Sequence, residues 1–408
     1  MSNFVKIVVR CMLVLLSLPL YGSENMYDSL YMHFDTFTTK DGLSQGMVRC
    51  IYQDKQGLMW FATKDGLNKY DGYKVIVYRH QPNDPFSLPE NYITQIIEDD
   101  SGNCWVGTVS KGLWIFDKKN ERFYQVVYDT DSSLNGDIRR LEYRQGILMV
   151  VTVKNVAMFD VRNVSPKEHY RQYKKIPIQS LFNYENQSAQ WQHFTDDKAQ
   201  IRVAWLSDNS LWVSVADSIV VCKSEEKSNR WKLHSIALSH IGLKKDPTNV
   251  TNIVQIKNKK AFVVLTGRQF GYFNMTAQRF EFLGDFDSKN NYVLRPVQDA
   301  QGNIRFNVLD DTYLFDPINM TVKKIIHDKK IHTSAISSCI DSDGFLWTGS
   351  QGFGVLKSTM QGSLFTAIDK DYAFVVNNTG NKGVIIRRNK KIQSWTNDLV
   401  DAGVLPKE

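Results

Sequence analysis

Gln53-Asp54-Lys55-Gln56-Gly57-Leu58-Met59-Trp60-Phe61-Ala62-Thr63-Lys64-Asp65-Gly66-Leu67-Asn68-Lys69-Tyr70-Asp71-Gly72 is the stretch that decides how this chain is read. It returns as Glu98-Asp99-Asp100-Ser101-Gly102-Asn103-Cys104-Trp105-Val106-Gly107-Thr108-Val109-Ser110-Lys111-Gly112-Leu113-Trp114-Ile115-Phe116-Asp117. A shorter copy is Asp341-Ser342-Asp343-Gly344-Phe345-Leu346-Trp347-Thr348-Gly349-Ser350-Gln351-Gly352-Phe353-Gly354-Val355-Leu356. The shared skeleton is Asp-x-x-Gly-x-x-Trp, a small-residue turn, a second Gly and a short apolar run. An apolar run that alternates before the Asp reads as a half-buried strand. Asp-x-x-Gly is a tight hairpin turn, in which Asp bonds the local backbone and Gly supplies positive φ. The Trp opens the next strand and fills the space between packed sheets.

Followed along the chain, the turn glycines Gly57, Gly102 and Gly146 recur at roughly 45 residues, the period of a β-propeller. Gly146-Ile147-Leu148-Met149 keeps the turn and loses the Trp. A displaced fourth unit carries Trp212, after an insertion around Gln187 to Gln200 that holds Trp191. The fifth is degenerate, the sixth carries Asp299 and Gly302, and the seventh is the Gly344 copy. The expected fold is therefore all-β, a seven-bladed propeller of four-stranded blades over residues 31–360. Unit seven shows three strands, so the lone strand Tyr31–Thr38 is expected to complete it and remove a free sheet edge. Residues 361–408 contain further short strand patterns and read as the start of an incomplete second propeller.

Composition narrows the classes. Among 408 residues the net charge is +7, with 24 Gly, 10 Pro and 42% hydrophobic residues, which describes a folded, turn-rich chain. Lys and Arg are interleaved with acids and form no basic stripe, so no nucleic-acid partner is expected. Residues 1–22 have Lys6 and Arg10 ahead of an apolar run from Cys11 to Leu20, the pattern of a secretory signal peptide. The expected route is secretion. The remaining cysteines, Cys50, Cys104, Cys222 and Cys339, lie in strand-like runs without Cys-x-x-Cys spacing, and read as buried apolar side chains; whether they pair is left open.

No catalytic constellation emerges. The 8 His are isolated and lack metal-ligand spacing, so no metal and no cofactor are expected. Asp54, Asp99, Asp299 and Asp341 repeat at one place in the unit, which reads as turn capping. Trp60, Trp105, Trp212 and Trp347 read as inter-blade core. A propeller gathers the starts of its inner strands and its second turns on one rim, a usual place for a ligand. Alignment by the turn Gly puts Arg49 and Arg139 at equivalent places with Thr94 between them, and Arg202 and Arg295 near the same level. The loops add Lys64, Lys111, Arg268 and Gln351. Arginine on such strands is costly without a partner. It points either to an anionic or hydroxyl-rich ligand held by bidentate donors, or to internal pairing with acids such as Asp310 and Asp311. Trp191 is a candidate stacking surface.

Gly42-Leu43-Ser44 followed by Val48, Ile51, Gln53-Asp54, Gly57, Trp60, Thr63 and Asp65-Gly66-Leu67 resembles the two-component regulator propeller repeat. Ser87-Leu88-Pro89-Glu90-Asn91, Ile93, Ile96, Glu98-Asp99, Gly102, Trp105, Gly107-Thr108 and Gly112-Leu113 resembles it equally. The resemblance implies the N-terminal periplasmic sensor region of a hybrid two-component histidine kinase, a non-catalytic domain detecting an oligosaccharide and relaying to the kinase. Its partners would be a second propeller or kinase part, with a homodimeric parent anchored in the inner membrane. Since the chain stops inside the expected second propeller, it reads as a truncated sensor, a piece of a longer gene product or a stand-alone propeller. Two other classes stay open. A quinone-dependent propeller dehydrogenase shares the Asp-x-x-Gly-x-x-Trp turn but has eight blades and often adjacent cysteines. A propeller scaffold for protein partners needs only the rim.

Overall fold

The computed structural model describes residues 29–32, 34–128, 136–152, 156–166, 175–183, 202–205, 210–215, 218–224, 231–237, 250–257, 260–265, 269–274, 279–285, 296–308, 311–327, 335–358, 365–369, 372–376 and 383–387. The expected targeting segment lies outside them. Two short strands come first, β1 (Ser29–Met32) and β2 (Phe34–Phe37), where one strand over Tyr31–Thr38 was expected. Four-strand meanders follow: β3 (Val48–Gln53), β4 (Met59–Thr63), β5 (Gly66–Tyr70) and β6 (Val75–Tyr78); β7 (Ile93–Glu98), β8 (Cys104–Thr108), β9 (Leu113–Asp117) and β10 (Arg122–Tyr128); β11 (Ile138–Arg144), β12 (Ile147–Thr152), β13 (Val156–Asp160) and β14 (Lys175–Asn183). Then come β15 (Arg202–Trp205), β16 (Leu211–Val215), β17 (Ser218–Ser224) and β18 (Trp231–Ala237); β19 (Val250–Lys257), β20 (Lys260–Leu265), β21 (Gln269–Asn274) and β22 (Arg279–Asp285); β23 (Val297–Gln298), β24 (Ile304–Val308), β25 (Asp311–Asp316) and β26 (Thr321–His327). The last elements are β27 (Ala335–Ile340), β28 (Leu346–Ser350) and β29 (Val355–Ser358), then β30 (Phe365–Asp369), β31 (Tyr372–Val376) and β32 (Gly383–Arg387).

The strands build an all-β propeller. They are not divided into seven separate four-stranded sheets as the repeat predicts. Hydrogen bonds join them into six sheets, four of four strands and two of eight. The cause is two parallel pairings between outer strands. Strand β14 is nine residues long; its first half pairs with β10 while its second half completes its own meander on β13. Strand β1 pairs in parallel with β26, and its other edge holds β30, so β30–β32 extend the β23–β26 sheet. Strand β30 is thus hydrogen-bonded to β1. Strand β2 pairs antiparallel with β29, as Phe34 to Ser358 through Phe37 to Val355, and supplies the fourth strand of the β27–β29 sheet.

Neighbouring meanders pack face to face through mixed clusters. Trp60, Leu67 and Cys50 meet Ile96, Cys104, Phe116 and Phe123. Trp105, Leu113 and Ile115 meet Ile138, Leu148, Val150 and Phe159. Met59 and Phe61 meet Trp347 and Val355, and Trp212 meets Phe273 at a ring separation of 5.3 Å. Among the described residues, no helix is long and apolar enough to cross a membrane.

Candidate functional site

The Asp-x-x-Gly turns form one rim. Asp54 Oδ1 accepts from the backbone N–H of Gln56 (3.0 Å) and Leu58 (2.9 Å), while Oδ2 accepts from Trp60 Nε1 (2.9 Å). The geometry repeats at Asp99 with Trp105 (3.0 Å) and at Asp341 with Trp347 (2.7 Å). Gly57, Gly102 and Gly344 all stand at φ 84°, the left-handed region that a side chain would strain. One carboxylate thus folds the turn and fixes the indole that wedges the next meander. Asp299 caps its turn through Gln301 and Asn303, and Gly302 stands at φ 89°. Trp212 has a different partner, Ser210 Oγ at 3.2 Å.

Between the first two turns the rim holds a buried charge cluster. Lys118 Nζ bonds Glu98 Oε1 at 2.5 Å and Asp54 Oδ2 at 3.1 Å. Burial opposes the ammonium, but the two carboxylates outweigh it and raise its pKa. A cavity of about 1060 Å3 opens beside this cluster, lined by residues that include Lys55, Glu98, Asp100, Lys118 and Arg162.

The opposite rim gathers the inner-strand starts and the second turns. Three of these turns are closed by a buried hydroxyl: Thr63 Oγ1 donates to Gly66 O, Thr108 Oγ1 to Gly112 O and Ser350 Oγ to Gly354 O, all at 2.9 Å. A bulge recurs at the start of the inner strand. The register skips one residue between Val48 and Cys50, between Ile93 and Gln95, and between Ile138 and Arg140. The residues that the strand register skips are Arg49, Thr94 and Arg139. Bulges re-aim a side chain at the rim of a sheet, so the structure brings the two arginines to equivalent stations. Thr94 does a different job: it is buried, and its hydroxyl donates to Ile138 O at 2.5 Å on the next inner strand. Ser337 ties β27 to β3 in the same manner, donating to Val48 O at 2.7 Å.

Acids share this mouth. Arg139 Nη2 lies 2.6 Å from Asp137 Oδ2. Burial raises the Asp137 pKa, Arg139 and Arg49 oppose that rise, and Glu90 adds to it. The Asp137 Oδ1 atom is buried without a hydrogen bond. Glu90 accepts from Ser110 N (2.6 Å), Ser110 Oγ (3.0 Å) and Lys111 N (2.8 Å). Its backbone partner thus holds Lys111 in place while the Lys111 side chain is exposed. The Lys64 ammonium sits 5.8 Å from the Tyr92 ring centre. Gln351 bridges to Met47. Phe353, in the turn after β28, is 66% exposed.

Sequence reasoning missed Asp137, Glu90, Tyr92 and Phe353 at this mouth. Their one signal was position: Glu90, Tyr92 and Asp137 precede an inner strand and Phe353 precedes a turn Gly. Arg202 begins β15, but its pairing with Ser214 runs in unbroken register, so it occupies no bulge. Arg268, Arg295, Trp191 and Asp310 lie outside the described residues. Asp311 bonds Lys324 at 2.7 Å and is occupied away from the two arginines. Cys50, Cys104 and Cys339 are free thiols, the first two buried. Among the described residues no group of three His, Cys, Asp or Glu could hold a metal ion.

Residues 42–65 and 87–110 match the two component regulator propeller family. A stretch of 55 residues is 51% identical to histidine kinase P4 of Formosa agariphila, covering 14% of this chain and 4% of the kinase. The fold resembles an extracellular domain from B. thetaiotaomicron, described in one structure as part of a one component system and in another as part of a hybrid two component system. The two give TM-scores of 0.60 and 0.59 at 16% and 15% identity, over 88% of this chain and 46% of that domain. The chain therefore spans about half the length of that domain. Virginiamycin B lyase of Staphylococcus aureus shares the fold at TM-score 0.54 and 12% identity, over 80% of this chain and 98% of the lyase. At such identities the likeness is one of fold.

Proposed function

We propose that this chain, which carries two component regulator propeller repeats at residues 42–65 and 87–110, is the extracellular ligand-sensing part of a two-component system. Its ligand is an oligosaccharide, and binding is relayed to a histidine kinase. The observation that carries this reading is the mouth itself. Two bulges carry Arg49 and Arg139 at equivalent stations beside it, and both guanidinium groups and Glu90 act on the Asp137 carboxyl. Guanidinium groups offer paired donors to vicinal hydroxyls or to a carboxylate. The Asp137 Oδ1 atom is a buried acceptor still awaiting a donor, which a sugar hydroxyl supplies. Because acids offset the arginines, the mouth suits a ligand rich in hydroxyls and carrying at most a few negative charges.

The test is thermal shift against enzymatic digests of neutral and acidic polysaccharides. A digest that stabilises the wild-type protein should lose that effect in Arg49→Ala/Arg139→Ala. A digest that stabilises the double variant equally places the ligand elsewhere. Protein that carries a bound quinone and reduces a dye would overturn the sensor reading in favour of an enzyme.

A further inference from the structure

One inter-meander seam departs from the clasp seen at three others. In β4, β8 and β28 the residue six after the turn Asp is Trp60, Trp105 or Trp347, whose N–H is satisfied by that Asp. In β24 the same station is Arg305, six after Asp299. Arg305 stands opposite Val297 and Leu314. Both of these pack on the cluster of Phe34, Leu346 and Leu356, which belongs to β2, β28 and β29. The guanidinium therefore occupies the face that looks towards the β27–β29 sheet. The opposite face, with Ile304, Phe306, Tyr313 and Phe315, packs on Ile256 and Tyr272.

Arg305 does not reproduce the indole contact. Its Nη2 is 3.8 Å from Asp299 Oδ2, beyond hydrogen-bond reach. Its Nε and Nη1 are buried with no hydrogen-bond partner. Its side chain is only 15% exposed, so a charge that water would solvate well is held largely dry. Parting this seam returns water to those nitrogens, which offsets part of the cost of exposing its apolar cluster, an offset that an indole seam lacks.

The outside of the same seam is strapped. Strands β1 and β2 hold its two sides: β1 bonds β26 on one side and β2 bonds β29 on the other. The free edge of β1 then carries β30, so the chain leaving the ring is fastened to the strap itself.

We propose that the seam between β23–β26 and β27–β29 is a gate in the ring, opened by hydration of Arg305 and held shut by the strap β1–β2. It goes beyond the sensor reading and does not depend on what the mouth binds. The strap makes the gate a two-state element to which the segment after the ring is coupled, because β30 cannot move without tugging β1.

Amide hydrogen exchange followed by mass spectrometry on the full chain tests it. In the wild-type protein β24, β28, β1 and β2 should exchange at least about tenfold faster than β4 and β8. Arg305→Met keeps an unbranched side chain of similar length and removes the charge. It should slow exchange in β1, β2, β28 and β29 by at least about fivefold and leave β3 to β9 unchanged. Wild-type exchange that is as slow at this seam as in β4 and β8 overturns the gate. So does a variant that slows nothing, or slows every strand alike. If Arg305→Met does not fold, the wild-type comparison of β24 with β4 decides alone.

Discussion

Two neighbouring parts of one ring show what the repeat contributes. The arc from β27 through β10 holds three carboxylate–indole clasps, at Asp341 with Trp347, Asp54 with Trp60 and Asp99 with Trp105. The adjoining β23–β26 meander has the same turn at Asp299 and the same glycine at Gly302, yet its wedge is Arg305. Identical turns therefore fold on different sides of one boundary. Turn formation is local, and needs only Asp and Gly. Fastening a meander to its neighbour is a separate property, carried by what stands six residues later.

The largest expected effect lies in the clasped arc. Lys118→Met removes the cation shared by Asp54 and Glu98, whose side chains are 0% and 2% exposed. Loss of one partner from a buried ion network costs about 3–5 kcal/mol, to be read as a fall in urea midpoint at unchanged slope. In the wild-type protein that contribution has a pH signature. Lys118 has a raised pKa, against its ordinary value of 10.5. The stability is fully present below that ordinary value and is lost as pH rises through the folded one. The variant should not show this alkaline loss.

A matched pair sharpens the contrast next. Trp347→Ala removes a 3% exposed indole and should cost about 3–5 kcal/mol. Arg305→Ala at the equivalent station should cost less than Trp347→Ala, because the ion pair it loses to Asp299 is long, at 3.8 Å, and Asp299 keeps its bonds from Gln301 and Asn303. Equal costs would erase the distinction between the two regions.

Smaller effects belong to the outer strands. Glu121 accepts from the Tyr78 hydroxyl at 2.6 Å and from Lys69 at 2.9 Å, and Tyr78 first and then Lys69 hold its pKa below the ordinary 4.5. Its contribution is present above that ordinary value and disappears as pH falls through the depressed one. The melting difference between wild type and Glu121→Gln should shrink accordingly on acidification. The smallest effect is expected at Lys55, whose side chain is 53% exposed and pairs with the exposed Asp100 at 3.1 Å. Lys55→Ala should change stability by less than about 1 kcal/mol.

Much of this was legible in the residues. Asp54, Gly57 and Trp60 announce turn and wedge together because a turn is local and its chemistry is fixed by residue type. The alternation that marks strands, however, carries no information about which outer edges meet. The parallel pairings of β14 with β10 and of β1 with β26 were accordingly invisible, and with them the division into six sheets. Arg49 and Arg139 could be aligned by counting back from the turn glycine, but the bulge at each appears only in the register. Asp137 and Glu90 escaped because an acid in a loop is ordinary until its neighbours are known. Arg305 was readable by simple spacing from Asp299, and its meaning came from the apolar face on which it sits.

A double-mutant cycle on Asp341 and Trp347 tests the clasp most directly, with Asp341→Ala, Trp347→Phe and both together unfolded in urea. If carboxylate and indole act as one unit, the two losses overlap by about 1.5–3 kcal/mol, the scale of a hydrogen bond to a charged group. Losses that add to within about 0.5 kcal/mol would contradict the clasp and leave Asp341 a turn residue and Trp347 a filler.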